Sequence, residues 1–205
     1  MRRASAASRK AQLAARFRWG KRLREASALG DLPQVRALLA DKARGNLEDE
    51  DLQGRTAAWL ASNRGRTDVV LELLDQGASR RPGHTKAGPL ILAAAVSGQE
   101  ATASALLGRG AFHELEDRDR DDRTALWCAA DSGYRRVVVQ LLAAGADVWA
   151  VCAGAPLLAA CDHQAMFPVC TARCQDTRVR LTVLAWSRRR GLTLWRTAIA
   201  SATGP

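Results

Sequence analysis

Apolar and polar positions alternate along the middle of the chain in two recurring arrangements. Short runs of small residues, Ala61-Ser62, Ala94-Ala95 and Ala129-Ala130, stand just ahead of a glycine. Beyond the glycine comes an apolar stripe, Val69, Val70, Leu73 and Leu74 in one place and Val137, Val138, Leu141 and Leu142 in another, at the spacing of one helical face. The glycines themselves recur: Gly30, Gly65, Gly98 and Gly133 fall 35, 33 and 35 residues apart. Eight and nine residues after each lie Leu38-Leu39, Leu73-Leu74, Leu106-Leu107 and Leu141-Leu142, and Gly77-Ala78, Gly110-Ala111 and Gly145-Ala146 follow the last three. Several residue types in register at a period near 33 mark an internal repeat. Each unit is predicted to be two helices. The first stops at a glycine free to take positive φ, the small residues before that turn let neighbouring helices approach, and the second helix supplies the core and ends at the second glycine.

The clearest copies are Gly54 to Ser79 and Arg123 to Asp147. The stretch Gly54-Arg55-Thr56-Ala57-Ala58-Trp59-Leu60-Ala61-Ser62-Asn63-Arg64-Gly65 resembles the ankyrin-repeat motif G-x-T-P-L-H-x-A-A-x-x-G, and Arg123-Thr124-Ala125-Leu126-Trp127-Cys128-Ala129-Ala130-Asp131-Ser132-Gly133 resembles it again. The resemblance implies an all-α solenoid of stacked helix-turn-helix units joined by hairpin loops. It covers residues 22–162 as a leading unit from Leu23 to Ala43, three full repeats, and the first helix of a fifth unit at Ala155 to Cys161. Pro33 falls in the first turn of the leading unit's second helix, where a missing N–H costs nothing. The motif's proline is replaced by Ala57 and Ala125, its histidine by Trp59 and Trp127, and in the third unit Pro89 takes the threonine position, so local hydrogen bonding is expected to differ. An indole N–H at Trp59 and Trp127 can donate the loop-bracing bond while the ring packs on the next unit. After Cys161 the register stops, and Pro168 falls where a second helix should be under way. The expected organisation is a basic arm over 1–21, repeats over 22–162 and a divergent tail over 163–205.

Charge sharpens this division. The net charge of +10 is concentrated at the ends: residues 1–24 hold nine Lys or Arg and no acid, and residues 171–205 hold seven Arg against Asp176 alone. Residues 25–170 then carry 15 basic and 20 acidic groups. The N-terminal segment admits three readings, a solvated arm, an Arg- and Ser-containing organelle-targeting segment, or a contact for nucleic acid or an anionic membrane; the solvated arm is preferred. Arg2-Arg3-Ala4-Ser5 also resembles a basophilic kinase site. The apolar Val179, Leu181, Val183 and Trp186 near Arg188-Arg189-Arg190 fit either a short added element or a disordered end. No run approaches the roughly 18 apolar residues of a membrane span, the longest being near Pro89 to Val96. Five cysteines, odd in number and irregularly spaced without a signal-peptide core, point to a reducing compartment, and a cytoplasmic or nuclear location is expected.

Candidate chemistry is sparse. Cys161, His163, Cys170 and Cys174 contain a Cys-x-His and a Cys-x3-Cys, but zinc sites pair tighter loops, and Cys161 has a competing role as a small core residue, so no metal is expected. Asp117, Asp119 and Asp121 alternate like the start of a calcium loop, which then requires Gly and Glu where Asp122 and Cys128 stand. His113-Glu114 lacks the second histidine of a zinc-protease motif. Neither a Gly-rich phosphate loop nor a nucleophile elbow is present, so no catalysis and no cofactor are expected. The loops entering successive units alternate in sign, with acidic Glu48 to Asp51, basic Arg80, Arg81 and Lys86, and an acidic stretch from Glu114 to Asp122 in a loop two residues longer than the others. Attraction between adjacent loops and a role in partner binding account for this equally well.

The resemblance implies recognition of another protein by shape and side-chain chemistry, as an intracellular adaptor or scaffold, with a tether to nucleic acid or an anionic membrane through the basic ends as the alternative. Residues at equivalent places in successive units line one concave ridge. The expected contact set is Leu52, Gln53, Arg55, Asn63 and Arg64 in the second unit, Lys86, Val96 and Ser97 in the third, and Arg120, Asp121, Arg123, Asp131 and Ser132 in the fourth. Leu52 and Val96 have no evident packing duty, and Arg64 with acidic Asp131 and Asp121 would give the ridge mixed charge. The stack is also expected to be incompletely capped at Leu157 and Leu158.

Overall fold

The computed structural model describes residues 6–41, 45–81, 87–147, 151–152 and 155–156, with side chains from residue 14 to residue 147 within those segments. Among the described residues eight α-helices follow one another in pairs: α1 (Ala6–Leu29) with α2 (Leu32–Ala40), α3 (Ala57–Asn63) with α4 (Thr67–Asp75), α5 (Leu90–Val96) with α6 (Glu100–Gly108), and α7 (Ala125–Asp131) with α8 (Arg135–Ala143). First helices stack in one row, α1 on α3, α3 on α5 and α5 on α7, while α2, α4, α6 and α8 form a second row behind them. The expected solenoid of helix-turn-helix units is thus present.

Each helix boundary follows from the residue placed there. Asp31 caps α2, its Oδ1 accepting from the Gln34 N–H at 3.0 Å, with Pro33 in the first turn. Thr56 and Thr124 cap α3 and α7 by accepting from the N–H groups of Trp59 and Trp127 at 3.2 and 3.3 Å. Pro89 has no such side chain, and α5 starts without a side-chain cap. The inter-helix and terminal glycines of the repeat all take positive φ, as their register predicts.

The core is continuous along the stack. Val35, Leu73, Leu106 and Leu141, one from each second helix, are all essentially inaccessible, as are Ala26 of α1 and the alanines of α3, α5 and α7. The small residues before each turn work as expected: Ser62 is fully buried and its hydroxyl donates to the Leu90 carbonyl of the next unit at 2.7 Å. That bond satisfies a buried hydroxyl and ties two units together.

Two boundaries differ from the sequence reading. The division at residue 22 falls inside α1, and the packed region extends back to Trp19, which is buried, donates its indole N–H to the Leu38 carbonyl at 3.1 Å and presses its ring onto the backbone of Gly45. A large aromatic ring with a satisfied N–H gains more by joining the core than by remaining in an arm. At the other end, Ala155–Pro156, expected to open a first helix, instead pairs antiparallel with Val151–Cys152, forming β2 and β1 of a short hairpin. Residues after Pro156, including Leu157, Leu158, Cys161, His163, Cys170, Cys174 and the basic tail, lie outside the described residues.

Candidate protein-binding groove

The loops preceding α3 and α7 are built alike, 68 residues apart, on an Asp-x3-Arg-x3-Trp arrangement that sequence reasoning did not single out. In the first, Asp51 Oδ1 accepts from the backbone N–H groups of Gln53 and Arg55, both at 2.9 Å, and Oδ2 accepts from Arg55 Nε at 2.8 Å. In the second, Asp119 Oδ1 accepts from the N–H groups of Asp121 and Arg123 at 2.9 and 3.0 Å, and Oδ2 takes Arg123 Nε and Nη2 at 3.0 and 2.8 Å. Each aspartate thereby closes its own turn and fixes an arginine. Burial pushes the Asp51 carboxyl up, but the hydrogen bonds from the Arg55 side chain and the two backbone N–H groups, with the Arg55 charge, outweigh it and hold the group below its ordinary value. The Arg123 guanidinium is held above its ordinary value, chiefly by its bond to Asp119.

Each fixed arginine in turn lies over a tryptophan. The Arg55 guanidinium carbon is 5.8 Å from the Trp59 ring centroid and that of Arg123 is 6.0 Å from Trp127, within cation–π range. The tryptophans differ in their hydrogen bonds. Trp59 donates to the Ala87 carbonyl at 3.0 Å, as expected, whereas Trp127 Nε1 finds no acceptor among the described residues.

The unit between these two elements lacks both side chains: register places Gly88 at the arginine position and Leu92 at the tryptophan position. A groove of 410 Å³ results, with Ala87, Leu92 and Val96 at its apolar centre, Gln53, Arg55 and Trp59 on one side and Asp119, Arg120, Asp121 and Arg123 on the other. Arg120 Nη2 donates to the Gln53 carbonyl at 2.9 Å, so the longer fourth-unit loop reaches the second-unit loop. Asp122 stands where Gly54 stands in the other loop and takes φ 60°, against 75° for the glycine.

Of the thirteen expected ridge residues, six line this groove: Gln53, Arg55, Val96, Arg120, Asp121 and Arg123. Leu52 is fully exposed beside it, and Arg64, Asp131 and Ser132 are exposed without joining it. Arg64 forms no ion pair with Asp131 or Asp121 among the described residues; Asp121 pairs with Arg123 at 2.9 Å instead. Asn63 Nδ2 donates to Ser97 Oγ at 2.6 Å, which commits both side chains to holding α3 against α5. Lys86 lies outside the described residues.

The sign alternation of the loops is used internally. Arg80 pairs with Glu114 at 3.1 Å and Arg81 with Asp117 at 2.5 Å, while Glu48 accepts from the Ser79 N–H at 2.8 Å and Glu116 from the Asp147 N–H at 2.7 Å. Glu114 is buried with one oxygen lacking a hydrogen-bond partner among the described residues; burial pushes its carboxyl up against the pull of Arg80 and Arg81.

The stacked helix pairs, their glycine ends and their bracing loops define a repeat protein, with no membrane-spanning helix among the described residues. Ankyrin repeats match it in three copies over residues 23–117 and in one further copy over residues 121–153, and the chain belongs to the ankyrin-repeat family. Repeats of this family are generally protein–protein interaction modules. A comparison with curated proteins finds no match.

Proposed function

We propose that this chain is a non-catalytic adaptor or scaffold of the cytoplasm or nucleus that holds a protein partner reversibly in the groove between its second and fourth loops. The observation that carries the reading is the apolar notch at Leu92 and Val96 set between two arginines, each held by an aspartate and backed by a tryptophan. Side chains already fixed in place lose little entropy when a partner docks, and an apolar centre with a charged rim is the anatomy of a specific interface. Because Arg55 and Arg123 brace their own loops, replacing them would disturb the groove as well as its contacts. The test therefore uses Leu52→Asp, at a fully exposed side chain beside the groove, in the full chain. A partner captured by the parent should bind the variant at least tenfold more weakly with the urea midpoint unchanged. Equal capture by a folded variant would place the partner elsewhere.

A further inference from the structure

We infer that the groove between the second and fourth loops takes an aromatic side chain of the protein partner, laid over Leu92 and Val96 beside the two arginines; the inference rests on the reading of this groove as the partner's seat. The register of the repeats points to a ring. Asp51–Arg55–Trp59 and Asp119–Arg123–Trp127 each place a guanidinium over an indole, at 5.8 and 6.0 Å from the ring centroid. In the unit between them Leu92 stands where the other two carry the tryptophan, so a ring is missing from the middle of the row. The missing arginine's place, by contrast, is closed: a Cβ built on Gly88 would lie 3.3 Å from Leu92 Cδ1 and 3.6 Å from both Cα and Cβ of Asp119, and Gly88 does not line the groove. The open space of 410 Å³ therefore lies over Leu92 and Val96.

Charge narrows the chemistry further. Arg55 and Arg123 line the groove with 35% and 34% of their side chains accessible, yet each already holds a carboxylate, Asp51 at 2.7 Å and Asp119 at 2.8 Å. Asp121 adds a third carboxylate, 2.9 Å from Arg123, and Arg120 a third arginine. With these acids and arginines in balance, neither an anion nor a cation from the partner meets a net attraction, and each would face like charges. An aromatic ring suits what remains. Its body buries on the apolar floor, and its negative π face is attracted to a guanidinium that keeps its carboxylate. The chain makes that pairing twice with its own rings, and aromatic side chains are enriched among the anchors of protein interfaces.

The test titrates the isotope-labelled full chain with blocked tripeptides, acetyl-Gly-X-Gly-amide, in which X is phenylalanine, cyclohexylalanine, aspartate or lysine. NMR follows the indole N–H of Trp59, a residue that lines the groove and donates to the Ala87 carbonyl. Cyclohexylalanine keeps the size and apolarity of the ring without its π face. The phenylalanine peptide should shift the signal and bind about two- to fivefold more tightly than the cyclohexylalanine peptide, the margin of a partly exposed cation–π contact, while the charged peptides leave it unmoved. Val96→Phe supplies a ring from the groove floor itself and should abolish the shift; the peptide series on the parent decides the matter even if that variant fails to fold. Equal affinity for the phenylalanine and cyclohexylalanine peptides, tighter binding of either charged peptide, no shift with any of them, or undiminished binding to a folded Val96→Phe would overturn the inference. A lost ring preference with partner capture still weakened by Leu52→Asp overturns the aromatic anchor alone, whereas capture indifferent to Leu52→Asp overturns the groove reading beneath it.

Discussion

Gly98 joins α5 to α6, and a methyl group there meets two separate obstacles. Its φ is +67°, and an added Cβ would lie 2.5, 2.6 and 2.7 Å from Cδ1, Cε1 and Cγ of Tyr134 in the next unit. Gly77 provides the control, with φ +94° and nothing within 4 Å of the same added atom. Gly77→Ala should therefore cost only the left-handed strain, about 1–2 kcal/mol. Gly98→Ala carries similar strain and must also displace the Tyr134 ring. That ring is 37% exposed and can swing toward solvent, giving up its packing for about a further 1 kcal/mol. Urea unfolding followed by far-UV circular dichroism measures both changes, with the m-value checking that the transition keeps its character. In a Tyr134→Ala background the extra cost should vanish, leaving a coupling energy of about 1 kcal/mol between the two sites. The reasoning fails if the two alanine variants are equally destabilised, or if the cycle shows no coupling.

Three further outcomes follow from the loops and caps. The Asp51 carboxyl is held below its ordinary value, so its stabilising effect is whole above the unfolded-state value of about 3.9 and is lost as pH falls through the lower folded-state value. Asp51→Asn should lower the urea midpoint at neutral pH and flatten its decline at acid pH; parallel declines in parent and variant would contradict this. Thr124→Ala removes the α7 cap and should cost about 1 kcal/mol by thermal or urea unfolding, whereas Pro89→Ala, at the equivalent uncapped position, removes no cap bond. Asp122→Gly replaces a left-handed aspartate by the residue found at Gly54, at the loss of only an exposed pair with Arg118, and should stabilise by about 0.5 kcal/mol; a lower melting temperature would refute it.

The helices were legible because their signals are local. Gly65, Gly98 and Gly133 fix where first helices stop, and the paired leucines fix the buried face of the second, so both survive in the sequence as spacing. Trp19 was missed because the surrounding cations suggested an arm, although Trp19, Leu23 and Ala26 stand at helical spacing and all three are buried. The ridge was legible as a set of equivalent positions, but the division of labour within it was not. That Asn63 and Ser97 bond each other depends on how closely α3 and α5 approach, which no spacing reveals. The Asp51–Arg55–Trp59 and Asp119–Arg123–Trp127 elements could have been found by comparing the two clearest repeats. Asp119 was instead weighed as part of a calcium loop, and which acceptor it serves depends on the folded turn. The groove itself arises where the third unit lacks that element, and its shape becomes visible only once the flanking loops are placed.

The central claim, that a partner sits between the second and fourth loops, is tested most directly by site-specific photo-crosslinking. A benzophenone side chain is placed in turn at Leu52, at Asp121 and, on the second row of helices, at exposed Ser104. The account predicts one and the same protein adduct from Leu52 and Asp121, lost when Arg120→Glu is added, and none from Ser104. An adduct formed equally well from Ser104, or adducts at the two groove positions that survive Arg120→Glu, would contradict it.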